Sequence, residues 1–66
     1  MKITINGREY TFASALTVGE LLPTIGTDGK GKAVAVNNRV VPRTSWGEHR
    51  LSDGDNVTII TAAYGG

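Results

Sequence analysis

The dipeptide Asn6-Gly7 constrains this chain more than any other feature. A type I′ turn needs positive φ at both central positions, and Asn-Gly meets that need with the least strain. Before it, Lys2-Ile3-Thr4-Ile5 alternates polar and apolar residues, and after it Glu9-Tyr10-Thr11-Phe12 alternates again. A period of 2 marks a half-buried strand. Residues 2–13 are therefore predicted to form a β-hairpin.

A helix start follows. Thr17 suits an N-cap, and Glu20, three residues on, completes a capping box. Leu16 and Leu21 occupy the positions of a hydrophobic staple. Leu21, Leu22 and Ile25 supply the apolar face. Pro23 lacks an N–H and clashes with the preceding turn, so the helix is expected to stop or kink near Leu22. Gly26 suits a chain reversal just beyond.

The rest reads as short strands and turns. Thr27-Asp28-Gly29-Lys30-Gly31-Lys32 has the composition of a loop. Ala33-Val34-Ala35-Val36 suits a central strand, Asn37-Asn38 a turn, and Arg39-Val40-Val41 a short strand ended by Pro42. Residues 43–50 look irregular, with Trp46 and Leu51 as packing anchors. Asp53-Gly54-Asp55 is a tight turn and residues 57–61 form the last strand. Residues 62–66 are expected to run out as a flexible tail. The order β-β-α-β-β-β predicts an α+β fold, a mixed sheet of four to five strands with one face covered by one helix. It allows the first and last strands to pair in parallel at the sheet centre, which is the β-grasp (ubiquitin-like) arrangement.

Composition narrows the functional classes. A chain of 66 residues is read as one domain, and at that size only about 60% of the unfolded surface is buried. With no Cys and a single His, His49, it offers neither a disulfide framework nor a Cys/His zinc site. Seven Lys and Arg stand against six Asp and Glu, and the two signs are interleaved. A nucleic-acid binder concentrates its basic residues on one face, so no nucleic-acid partner is expected. The apolar runs are too short to span a bilayer, and the N-terminus shows no signal-peptide core. A cytoplasmic address is expected.

The segment Ala35-Val36-Asn37-Asn38-Arg39-Val40-Val41-Pro42-Arg43, then Trp46, then Leu51-Ser52-Asp53-Gly54-Asp55, then Gly65-Gly66 resembles the thiamine-biosynthesis sulfur carrier family of ubiquitin-like β-grasp proteins. The resemblance covers essentially the whole chain; Pro23 is the main local departure. It implies that an E1-like adenylating enzyme uses ATP to activate the carboxylate of Gly66. It also implies a sulfur donor, such as a cysteine desulfurase, that converts the acyl adenylate to a thiocarboxylate. A thiazole synthase then receives the sulfur. The carrier itself binds no cofactor and no metal, and is a protein cosubstrate rather than an enzyme.

The tail's residue types suit that chemistry. An α-carboxyl group has a reference pKa of about 3.3–3.7, so it is an anion at neutral pH and its oxygen can attack the α-phosphate of ATP. Gly65 and Gly66 lack Cβ atoms, so they pass a narrow channel and leave the acyl carbon open. Tyr64 and Ala63 would lie at the channel mouth or on the partner's surface. Gly-Gly alone also fits a flexible tip, and it is the matching middle segment that favours function.

Other residues are weighed against plainer roles. Alternation along the last strand assigns Val57 and Ile59 to the helix-covered core and turns Thr58 and Ile60 to the open face. An exposed Ile60 beside the tail is a candidate docking contact, or a scattered surface apolar residue. Arg43 pairs either with a partner's acid or with its own loop. His49 reads as a surface residue. Gly29-Lys30-Gly31-Lys32 lacks the spacing of a phosphate loop and reads as a mobile linker. No set of groups for catalysis by this chain itself is visible.

Two other functions compete. The molybdopterin-synthase small subunit is also a β-grasp protein ending in Gly-Gly, but it usually carries a Pro-Pro-containing stretch where Ala62-Ala63-Tyr64 stands here; related carriers serve cysteine or other sulfur metabolites. A non-covalent β-grasp binding module would need no free C-terminus.

Overall fold

The computed structural model describes residues 1–61; the expected flexible tail, residues 62–66, lies outside them. Strands β1 (Lys2–Ile5) and β2 (Arg8–Thr11) form the hairpin. Asn6 and Gly7 adopt φ values of 50° and 82°, as the turn type requires. Helix α1 (Val18–Thr24) follows, then β3 (Lys32–Val36), β4 (Arg39–Val41), a short 3₁₀ turn (Arg43–Ser45) and β5 (Asn56–Thr61).

The sheet has five strands in the order β2-β1-β5-β3-β4. β1 and β5 pair in parallel, with Ile5 beside Val57, while β3 runs antiparallel to both β5 and β4. The last strand therefore lies at the centre, as the sequence predicts. Its inward residues alternate with those of its neighbours. Ile3, Ile5, Val34, Val36, Val41 and Val57 are buried beneath Val18, Leu21 and Leu22 of the helix. Each fully buried aliphatic side chain stabilises the fold by about 1.5–3 kcal/mol relative to an exposed one.

The helix begins as expected. Glu20 N donates to Thr17 Oγ1 at 3.2 Å, and Thr17 N donates to Glu20 Oε1 at 2.9 Å. Its end corrects the sequence reading. The helix does not stop at Leu22 but runs through Pro23 to Thr24. Pro23 lies in the last turn, and the donor it lacks is followed by a complete terminal motif. Gly26 N donates to Pro23 O and Thr27 N to Leu22 O, with Gly26 at φ 92°. These are the two bonds of a Schellman motif, which satisfies the final carbonyls.

The segment after β4 is more ordered than its composition suggests. Trp46 is buried, and its Nε1 donates to Val41 O at 2.9 Å. Val18 N donates to His49 O and Gly19 N to Trp46 O, so this segment is tied to the start of the helix. His49 is half-buried rather than fully at the surface. The mobile-linker reading of residues 29–32 is also corrected. Gly29 is buried, with φ 80°, and Lys32 already belongs to β3. A Cβ at Gly29 would stand 2.7 Å from Trp46 Cζ3 and 3.0 Å from Leu22 Cδ1. Close packing against the indole, not linker flexibility, explains that glycine.

Candidate functional site: the end of β5 and the open face

The Asp-Gly-Asp turn launches β5. Gly54 has φ 88°, and the flanking acids are used within the fold. Asp53 Oδ1 accepts from Lys2 N at 2.6 Å, and Asp55 accepts from Ser52 N at 2.7 Å and from Asn37 Nδ2 at 3.0 Å. Asn37 Oδ1 accepts in turn from Asn56 N at 2.9 Å. These bonds fix where the strand starts.

From there β5 crosses the sheet. Val57 is buried and Ile59 is half-buried against the core, while Ile60 is 57% exposed on the opposite face. Thr58 shares that open face and is half-buried. At the strand's end Thr61 pairs with Lys32, whose Nζ donates to Thr61 Oγ1 at 2.9 Å. Gly66 is five residues further on. A five-residue segment spans at most about 18 Å when fully extended, enough to carry a terminal group well beyond the sheet edge.

The register defines an apolar patch around Ile60. Ile60 lies beside Ala33, Thr58 beside Ala35, and Ala35 beside Val40. Val40 is 75% exposed. The sequence reading missed Val40, although a signal was present. Val41 is the core residue of a three-residue strand, so period-2 alternation turns Val40 to the other face.

Arg43 goes elsewhere. Its Nη2 donates to Gly29 O at 2.6 Å, and its guanidinium carbon lies 5.2 Å from the centre of the Trp46 ring. Within the chain, Arg43 thus ties the loop before β3 to Trp46 of its own segment. Gly66, Gly65, Tyr64 and Ala63, named as the reactive and threading residues, lie outside the described residues. Among the described residues no cluster of three or more His, Asp or Glu is placed to hold a metal ion, and no helix is long and apolar enough to cross a membrane.

A five-stranded mixed sheet grasping one helix, with its central last strand leading toward Gly65-Gly66, defines a ubiquitin-like β-grasp protein. Comparison with known proteins narrows that class. The model of the ThiS family matches residues 3–66. The chain is 35% identical to the sulfur carrier protein ThiS of Escherichia coli, over the full length of both. It is 38% identical to a segment of a thiazole synthase from Paramagnetospirillum magneticum, of which it spans 20%. The crystal structure of thiamine biosynthesis protein ThiS from Geobacter metallireducens superimposes with a TM-score of 0.88 at 29% identity, covering all of both chains. The chain belongs to the ThiS family.

Proposed function

We propose that this protein is a sulfur carrier for thiazole formation in thiamine biosynthesis, with the carboxylate of Gly66 as its reactive group. The observation that carries this reading is the end-to-end match to a sulfur carrier protein, over the full length of both chains. The chemistry runs in two stages. The Gly66 carboxylate oxygen attacks the α-phosphorus of ATP on an E1-like adenylating enzyme, and pyrophosphate leaves. The terminal sulfur of a donor's persulfide, such as that of a cysteine desulfurase, then attacks the acyl carbon, and AMP leaves. A thiol cleaves the resulting acyl disulfide, is itself oxidised to a disulfide, and releases the sulfur on the acyl group. The product is a thiocarboxylate, which a thiazole synthase consumes.

In this reading the chain is a cytoplasmic cosubstrate, and catalysis belongs to its partners. Its own task is to hold a slender reactive segment on a rigid base. The likeness to part of a thiazole synthase favours the thiazole pathway over molybdopterin synthesis. The open face around Ile60, Thr58 and Val40 is the proposed docking surface, since partner-binding patches combine an apolar centre with a polar rim.

Intact mass spectrometry tests the proposal. Incubation with the adenylating enzyme, ATP and a sulfur source is expected to raise the mass by the difference between one sulfur and one oxygen. A chain carrying one extra residue after Gly66 is expected to fold normally and gain no sulfur. An unchanged mass for the native sequence, under conditions that load an authentic carrier, would exclude the reading.

A further inference from the structure

β5 has different neighbours on its two flanks. β3 pairs with it as far as Thr61, but β1 runs out at Ile5, beside Val57. Beyond that point the β1 side turns into the Asn6-Gly7 hairpin, with Asn6 at φ 50°. In a continuing parallel ladder the Ile59 N–H would reach the main-chain carbonyl of Asn6. The side chain takes that place. Ile59 N donates to Asn6 Oδ1 at 2.8 Å, and Asn6 Nδ2 donates to Ile59 O at 3.1 Å. The main-chain Asn6 N also donates to Val57 O at 2.9 Å. One residue thus holds β5 at two successive points, and its amide serves as an extra rung of the ladder. The turn itself does not require this amide, because Gly adopts positive φ as readily.

We propose that Asn6 is a positioning residue for the carrier chemistry, its side-chain amide fixing the end of β5 from which residues 62–66 depart. The inference rests on the carrier reading above. A strand end held on both flanks offers those residues to a partner from a fixed base. One held on a single flank must be ordered during binding, which weakens apparent affinity but leaves the chemistry of the seated complex unaltered.

Two variants test this. Asn6→Gly removes the amide and keeps a residue suited to the turn; Asn6→Asp keeps an acceptor for Ile59 N but offers no donor to Ile59 O. Both are assayed well below their unfolding midpoints. In Asn6→Gly, amide exchange at Ile59 is expected to accelerate roughly tenfold while Val34 holds its protection. With the adenylating enzyme and MgATP, KM for Asn6→Gly is expected to rise roughly three- to tenfold at constant kcat. Asn6→Asp is expected to fall between it and the native chain, and it carries the test should Asn6→Gly not fold. Unchanged KM, or a loss confined to kcat, overturns the proposal and leaves the carrier reading standing. Failure of the native chain to be adenylated overturns both.

Discussion

Gly29 shows how much one backbone position controls here. Its φ of 80° is strained for any L side chain, and an added Cβ would meet Trp46 and Leu22. Both penalties act together in Gly29→Ala, which is expected to lose about 2–4 kcal/mol, read as a lower urea midpoint by tryptophan fluorescence. Its carbonyl matters as well, because it accepts from Arg43. Arg43→Ala is expected to lose about 1–2 kcal/mol through that bond and the stacking on Trp46, with adenylation kinetics unchanged. A rise in KM for that variant would return Arg43 to the docking surface. Trp46 was legible in the sequence as an anchor, since a lone indole in a small chain has few other uses. Gly29 was not, because its partners Leu22 and Trp46 are remote in sequence and only the fold brings them together.

At the scale of the elements, local signals worked wherever the determining contacts were local. The Asn6-Gly7 hairpin, the Thr17 capping box and the Asp53-Gly54-Asp55 turn each depend on residues within a few positions, and each formed as read. The end of α1 was misread because Pro23 was weighed as a breaker, whereas the terminal bonds around Gly26 let the helix close one residue beyond it. The cap offers a quantitative check. Thr17→Ala is expected to cost about 1 kcal/mol, measured by urea unfolding monitored in the far ultraviolet, because Glu20 N loses its side-chain acceptor. Thr17→Ser keeps the hydroxyl and is expected to retain most of that stability. The rung supplied by Asn6 was the element-level feature least visible beforehand. Sequence identified Asn6 as a turn residue, and nothing local pointed to Ile59 as the partner of its amide.

Across the whole molecule, one sheet presents two unlike faces. The covered face supplies stability and the open face supplies Ile60 and Val40, the exposed large apolar residues among those described. Ile60→Glu and Val40→Glu are each expected to change stability by less than about 0.5 kcal/mol, as surface substitutions usually do. Each is expected to weaken the complex with the adenylating enzyme or the thiazole synthase by about tenfold or more, read by calorimetry. Unaltered affinity for both partners would remove this face from the docking account. The strand order has a further consequence, for the timing of biosynthesis. β5 is translated last among the strands, yet it lies between β1 and β3, which do not touch each other without it. A nascent chain lacking residues 56–61 holds two separate hairpins and a helix with no continuous surface to cover. The sheet closes only once those residues have cleared the ribosome, so the diglycine segment emerges on a domain that is just completing its fold. A chain truncated after Asp55 is accordingly expected to show the narrow amide dispersion of an unfolded protein in its NMR spectrum.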